Sequence, residues 1–408
     1  MKIKKFKVAI FSGNRAEYGL LKPIIKSIKE SPYFEYYLVI SGAHLEKNFG
    51  NTKNEIKNDG FKIFKELKIL KNNETNISTP LAISEVIKKY SKVLYNIKPD
   101  IALVYADRFE GFGALVASTQ MNINTAHIEG GDLTEGGALD DSIRHAMTKL
   151  AHIHFTTNHQ ATKRIILMGE ESWRVKTVGF PALDLINAGD YSKLNELKES
   201  LKINFNKPTI LFTQHSITTE FEKSKYQINQ SLKAIKKLLD DNINVIITYP
   251  NNDTGGIIII KEIIKFQKVN KKYKNLIVIS SLGRKKYHGI LALSKNQRHK
   301  IVCVGNSSSG IKETPVFKCP TVNIGTRQDS RLRANNVIDA DYSHIDIYKA
   351  CIKALYNKSF LNNCYKSKNP YGGKHIAKKI HDHLLSYLKT KKNLLRKNNT
   401  IKFKPLLK

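Results

Sequence analysis

One plan recurs along this chain: a short apolar run, an exit of small or polar residues, then an amphipathic stretch of helical period. Val8 to Phe11 exits into Ser12-Gly13-Asn14-Arg15 ahead of a helix over Tyr18 to Ile28. Tyr37 to Ile40 exits into Ser41-Gly42-Ala43-His44, Ile101 to Tyr105 into Ala106-Asp107-Arg108, and Thr125 to Ile128 into Glu129-Gly130-Gly131. Short apolar runs bounded by glycine read as strands buried on both faces. Their alternation with helices predicts a parallel sheet covered on both sides. Arg174 to Val178, ended by Gly179-Phe180-Pro181, closes this half, with Pro181 as the candidate hinge.

After a helical stretch the plan restarts. Thr209 to Phe212 exits into Thr213-Gln214-His215, Val245 to Thr248 into Tyr249-Pro250-Asn251-Asn252-Asp253, Ile301 to Val304 into Gly305-Asn306-Ser307-Ser308-Ser309-Gly310, and Thr321 to Ile324 into Gly325-Thr326-Arg327. A chain of 408 residues is long enough for two cores. The predicted fold class is α/β: two Rossmann-like, doubly wound domains facing a central cleft. The expected boundaries are 1–181 and 182–366, then a helix within 367–388 returning to the first domain, then a basic tail over 389–408. In open α/β sheets ligands bind where strands end, so the exits are where chemistry is expected.

The charge balance tests one other class. Lys+Arg 68 against Asp+Glu 35 gives a net charge of +33. The lysines are scattered, as in Lys261, Lys265, Lys268 and Lys271, without the interleaved aromatics of a single-strand groove, so no specific nucleic-acid partner is expected. The charge does favour anionic substrates. Cys303, Cys319, Cys351 and Cys364 have no CxxC spacing and no histidines at ligand spacing, which predicts reduced thiols, a cytoplasmic setting and no metal. Ile257 to Ile260 is too short to cross a membrane.

The segment His127 to His145 holds too many acids and glycines for a core. Glu129 leaves its strand at the C-terminal end, Gly130-Gly131 and Gly136-Gly137 allow turns, and Asp140-Asp141-Ser142 starts a helix over Ile143 to Leu150. Asp140 and Arg144, one turn apart, are expected to share a face. These acids can also be read as helix caps with a local ion pair. Asp107 and Arg108 at a central strand's end complete the set, so that Asp107, Glu129 and Asp141 are three candidate acid/base groups.

Gly305 to Gly310, ahead of a helix over Ile311 to Phe317, suits a phosphate: small residues allow approach, hydroxyls and backbone N–H groups donate, and a helix start adds positive potential. An ordinary Asn/Ser cap reads equally well from these residues alone. Glu313 could accept from sugar hydroxyls. Ser12-Gly13-Asn14-Arg15 is a second candidate anion site, and Arg327 after Gly325 is placed like Arg15. His215 could donate to a leaving phosphate. No GxGxxG fingerprint with a ribose acid is present, so no nicotinamide or flavin cofactor is expected.

Taken together, Gly13-Asn14-Arg15-Ala16-Glu17-Tyr18, Ser41-Gly42-Ala43-His44-Leu45, Gly50-Asn51-Thr52, Asp107-Arg108, His127-Ile128-Glu129-Gly130-Gly131, Asp140-Asp141-Ser142-Ile143-Arg144-His145, Gln214-His215, Pro250-Asn251 with Asp253, Gly305-Asn306-Ser307-Ser308 and Gly325-Thr326-Arg327-Gln328 resemble the hydrolysing UDP-N-acetylglucosamine 2-epimerases of bacterial sialic-acid synthesis. The resemblance implies the glycosyltransferase-B architecture, with UDP held mainly by the second domain and no cofactor. It implies proton transfers shared by Asp107, Glu129 and Asp141, with Arg144 and Arg108 holding them. His215, Arg15, Arg327, Ser307 and Ser308 would hold the diphosphate and Glu313 the ribose, with Ala16, His44 and Asp253 also lining the substrate. It further implies association into dimers or tetramers. One departure is the insert Asp132 to Leu139, longer than in many relatives. Alternatives are the same reaction on a UDP-linked 2,4-diacetamido-2,4,6-trideoxyhexose of legionaminic-acid synthesis, and a glycosyltransferase of the same architecture.

Overall fold

The computed structural model describes residues 4–46, 52–69, 77–134, 139–251, 255–390, 392–398 and 400. The chain divides into two compact units, one drawn from Met1–Leu133, Leu139–Asp184 and Tyr371–Lys408, the other from Thr134–Ala138 and Leu185–Pro370.

The first unit is built on seven parallel strands: β1 (Phe6–Ser12), β2 (Phe34–Ser41), β3 (Ile63–Leu67), β4 (Ile101–Tyr105), β5 (Asn124–Ile128), β6 (Ile153–Thr156) and β7 (Val175–Thr177), in the order β3-β2-β1-β4-β5-β6-β7. β4 is buried along its whole length, which is why it reads as an unbroken apolar run. Helices Ser78–Ile97, Phe109–Gln120 and Leu139–Leu150 cover one face, where Val86, Tyr90, Leu94, Ala114 and Met147 join β1 and β4 residues in one core. The winding runs from β1 outward to β2 and β3, then restarts on the other side of β1 with β4. The exits of β1 and β4 therefore flank the switch point of this sheet, where ligands sit in doubly wound folds.

Helix Ile376–Lys389 belongs to this unit. His381 Nε2 lies 2.8 Å from Ser31 Oγ, and its ring packs edge-on against Phe34. The segment after it is docked, not extended, over its described residues. Arg174 donates to the Leu394 carbonyl at 2.8 Å, and Lys397 donates to the carbonyls of Lys149 (2.7 Å) and Ala151 (2.6 Å) and pairs with Glu170 at 2.8 Å. A lysine on the last carbonyls of a helix satisfies acceptors the helix cannot. Burial alone would raise the Glu170 carboxyl, but hydrogen bonds from His154, Lys149 and Lys397 outweigh it and hold it down at about 2.

The second unit carries six parallel strands: β8 (Thr209–Thr213), β9 (Asn244–Thr248), β10 (Leu276–Ile279), β11 (Ile301–Gly305), β12 (Thr321–Ile324) and β13 (Val337–Ala340), ordered β10-β9-β8-β11-β12-β13. Here the switch point lies between β8 and β11. All four cysteines are buried free thiols, and among the described residues no helix is long and apolar enough to cross a membrane.

Two local expectations are corrected. The helix expected over Ile311 to Phe317 is two single turns, Ser309–Lys312 and Thr314–Phe317, broken at Glu313. Pro315 lacks an N–H and its ring excludes the carbonyl of Ile311, so the helix cannot run through. In helix Leu139–Leu150 the inward stripe is Asp141, Arg144, Met147 and Thr148, so Arg144 pairs with the buried Asp141, whereas Asp140 is exposed.

Candidate active site

In the first unit the β4 and β5 exits both bend through non-glycine residues with left-handed backbone, Ala106 (φ 54°) and Glu129 (φ 67°). Such residues cost on the order of 1 kcal/mol or more and persist where the surroundings over-determine them. Here the Ala106 N–H donates to Ile128 O at 2.9 Å, and His127 Nε2 donates to Ala106 O at 2.6 Å. His127 is fully buried, and burial pushes it down to about 3, so it stays a neutral donor. A side chain at Gly130 would strike His127 Nδ1 at 2.8 Å, which explains a glycine there.

These bends set Asp107 and Glu129 on adjacent strand ends. Arg144, 1% exposed, joins the acids: Nη2 pairs with Asp107, Nη1 donates to Asp141 Oδ1 at 3.0 Å and to Asp132 O at 2.7 Å. Glu129 accepts a hydrogen bond from the Tyr105 hydroxyl, which burial and the Glu129 charge push well above its ordinary value, so that it remains a donor. The result is a set of carboxylates on rigid strand and helix ends, oriented by one guanidinium and one phenol. Such groups can remove and return protons.

At the β1 exit, Asn14 caps helix Arg15–Lys29 by accepting from the Glu17 N–H at 3.0 Å. The side chains of Arg15 and Ala16 lie outside the described ones. His44 is fully buried, with Ser12 Oγ 2.9 Å from Nε2 and Thr52 Oγ1 2.7 Å from Nδ1, and burial pushes it down to about 4. It ties the β1 and β2 exits together from below and is not itself an exposed ligand group. Arg108 sets its Nε 3.5 Å from Glu110 Oε2.

In the second unit Asn306 organises three exits. Its Oδ1 accepts from the His215 N–H at 2.7 Å and its Nδ2 donates to His215 O at 2.9 Å, while its own carbonyl accepts from Arg327 Nη1 (3.1 Å) and Gln328 Nε2 (2.9 Å). Gly305, at φ 131°, brings β11 so close to β8 that a Cβ would lie 1.8 Å from Thr213 O. Thus His215, the half-buried Ser307 and Ser308, and Arg327 converge on the switch point. With only a single helical turn after it, this turn offers N–H groups, hydroxyls and Arg327, with little helix dipole.

His215 Nδ1 lies 3.1 Å from the Asn251 N–H, which can only donate, and 3.0 Å from the Asn251 Oδ1, which can only accept, so Asn251 fixes the place of the ring and not its tautomer. Glu313, at the helix break, accepts from His288 Nε2 at 3.0 Å and from Ser309 Oγ at 2.5 Å. Burial alone would raise its carboxyl, but the His288 and Ser309 contacts outweigh it and lower it.

Of the residues singled out from sequence, Asp107, Asp141 and Arg144 are in direct contact, Glu129 is on the neighbouring exit, and His215 and Arg327 are joined through Asn306. Asp253 and the Gly136-Gly137 pair lie outside the described residues. Tyr105 and His288 carry no site expectation from sequence, and Asn306 carries one only as part of the Gly305-to-Gly310 turn. Among the described residues no group of His, Cys, Asp and Glu could hold a metal ion.

The sequence profile of the UDP-N-acetylglucosamine 2-epimerase family matches residues 26–385. The GDP/UDP-N,N'-diacetylbacillosamine 2-epimerase (hydrolyzing) of Campylobacter jejuni is 34% identical, covering 88% of this chain and 90% of that one. The UDP-N-acetylglucosamine 2-epimerase of Neisseria meningitidis is 31% identical over 85% of this chain and 87% of that protein. A crystal structure of UDP-GlcNAc 2-epimerase from Neisseria meningitidis, bound to UDP-GlcNAc, has the same fold, with a TM-score of 0.79 at 18% identity over 93% of this chain and 100% of that one. The chain therefore belongs to the UDP-N-acetylglucosamine 2-epimerase family and is an enzyme of that kind.

Proposed function

We propose that the protein is a hydrolysing 2-epimerase that converts UDP-N-acetylglucosamine and water to N-acetylmannosamine and UDP, in the cytoplasm, for sialic-acid synthesis. The observation that carries this reading is the Arg144-centred set of carboxylates at the first sheet's strand ends. C2 of an N-acetylhexosamine bears no carbonyl, so its proton is barely acidic until the C1–O bond to UDP begins to break. Positive groups around the diphosphate drive that cleavage, after which a carboxylate is a strong enough base. The C2–H electrons then form the C1–C2 double bond of a 2-acetamidoglucal as UDP leaves with the C1–O electrons. Water adds its hydroxyl to C1 and gives its remaining proton to a carboxylate, while a carboxylic acid returns a proton to C2 from the opposite face.

Asp107, Glu129 and Asp141 share these transfers, and Arg144 and Arg108 hold them. His215, Ser307, Ser308, Arg327 and Arg15 take the diphosphate and Glu313 the ribose, with Ala16, His44 and Asp253 as supporting positions. A homo-oligomer is the expected assembly. The similarity to the Campylobacter protein favours a second reading in which the sugar is the 2,4-diacetamido-6-deoxy one. Incubating the purified protein separately with the two nucleotide sugars and identifying the free sugar by NMR tests both. Free N-acetylmannosamine with UDP supports the first reading; turnover of the diacetamido substrate alone moves the assignment to the second. No turnover of either overturns the proposal.

A further inference from the structure

The motif Gly13-Asn14-Arg15-Ala16-Glu17 holds one acid that the proposed reaction does not use. Glu17 is 5% exposed and lies beneath the β1 exit, its Oε2 accepting from the Gly13 N–H at 2.6 Å. Glu110, 1% exposed, comes up against the same exit from helix Phe109–Gln120. A Cβ at Gly13 would lie 2.9 Å from Glu110 Cβ, and one at Gly42, in left-handed backbone at the β2 exit, would lie 2.9 Å from Glu110 Oε1 and 2.8 Å from Gly13 O. Two glycines at two strand ends therefore make room for one carboxylate. Glu17 Oε1 and Glu110 Oε2 are buried without a hydrogen-bond partner among the described residues.

We propose that Glu17 and Glu110 act as a carboxylic acid–carboxylate pair, with one proton between them, that locks the β1, β2 and β4 exits together and positions Arg108. Two ionised carboxylates at such burial repel each other and lose hydration, so one proton is retained. Arg108 Nε lies 3.5 Å from Glu110 Oε2, which leaves Glu17 as the member of the pair that keeps the proton. Of the other titratable groups on these exits, Asp107 on the β4 exit is paired with Arg144, and His44 on the turn after β2 is held neutral by burial and adds no charge. In agreement, burial and the Glu110 charge push the Glu17 carboxyl up to about 8. Glu17 and Glu110 are thus positioning residues. The consequence for Arg108 rests on the β4 exit being part of the reaction site proposed above.

The test is infrared difference spectroscopy of the full chain against pH, with kcat for the UDP-sugar measured in parallel. Wild-type protein should show a protonated-carboxyl C=O band at neutral pH that is lost as pH rises through about 8, is absent in Glu17→Gln, and is accompanied by a fall in kcat over the same span. Glu17→Gln, which mimics the neutral acid, should lack that fall. Glu110→Gln should lower kcat about tenfold with KM within about twofold, because Arg108, which helps to hold the proton-transfer carboxylates, loses this ion pair. A wild-type band that is missing, or that survives in Glu17→Gln, overturns the pair, and should that variant not fold, the wild-type titration alone decides. The infrared reading does not depend on turnover, so it separates failure of the pair from failure of the proposed reaction.

Discussion

Asp107 and Asp141 are held by the two terminal nitrogens of one guanidinium: Arg144 Nη2 pairs with Asp107, and Nη1 lies 3.0 Å from Asp141 Oδ1. Both are candidate acid/base groups, and they come from different elements, so their geometry depends on that one side chain.

A lysine cannot reproduce the arrangement, because a single ammonium replaces a rigid fork that also serves the Asp132 carbonyl. Arg144→Lys is expected to fold and to lose turnover by roughly 100-fold. Arg144→Met leaves carboxylates uncompensated and should destabilise the protein by about 3–5 kcal/mol. Initial rates and urea melts check both. Wild-type turnover in Arg144→Lys would show that the pairing is not needed.

Asn306, on the β11 exit, is tied to the β8 and β12 exits, and the two hydrogen bonds its side chain makes with His215 cannot be replaced by alanine. The side-chain pair to the half-buried His215 main chain is lost in Asn306→Ala, at a cost of about 1–3 kcal/mol. UDP affinity, measured by calorimetry, should fall by about tenfold or more. Unchanged affinity would separate this turn from the nucleotide.

His288 fixes one oxygen of Glu313. If Glu313 takes the ribose, His288→Ala should raise KM for the nucleotide sugar with little change in kcat. A 2′,3′-dideoxy UDP should then inhibit wild type and variant equally. A kcat effect without a KM effect would contradict the ribose role.

Stability should fall on the acid side of neutrality. Burial holds His44 at about 4, His127 at about 3 and His152 at about 4, against an ordinary 6.5. Between those values the unfolded chain binds protons that the folded one does not. Their contribution is therefore complete above 6.5 and is lost as pH falls toward 4, by up to about 1.4 kcal/mol per pH unit for each group. Glu170, held at about 2, extends the loss below 4.5. Glu17 runs the other way, its contribution declining as pH rises from 4.5 through about 8, but it is one group against several. Urea midpoints at pH 7, 6 and 5 check the net slope; equal midpoints would contradict it.

The strand ends were legible because buried parallel strands are short apolar runs that must stop at a glycine or polar residue. β4 and β12 have the expected bounds, Ile101–Tyr105 and Thr321–Ile324. Strands with mixed residues were not: β3 carries Lys65 and Glu66 at a sheet edge, and β6 is a four-residue run with His154 inside it. β10, Leu276–Ile279, was apolar enough to be found and was not singled out. The site residues were legible as types at exits, whereas their ties were not. Tyr105 reads as the last apolar residue of a strand until β5 brings Glu129 beside it, and Asn306 reads as a cap until β8 brings His215. The choice of Asp141 over Asp140 was available from helical phase with Met147 and Thr148. The docking of Lys397 was not, since a lysine's sequence neighbours say nothing about which carbonyls await it.

Proton exchange at C2 is the central step of the proposed reaction. Wild-type protein turning over UDP-N-acetylglucosamine in deuterated water, followed by NMR and mass spectrometry of the released sugar, should give N-acetylmannosamine with one deuterium at C2 in each molecule. Asp107→Asn, Glu129→Gln and Asp141→Asn should each slow its release by about 100-fold or more. A released sugar that keeps its original C2 hydrogen, or three variants that turn over as fast as wild type, would contradict it.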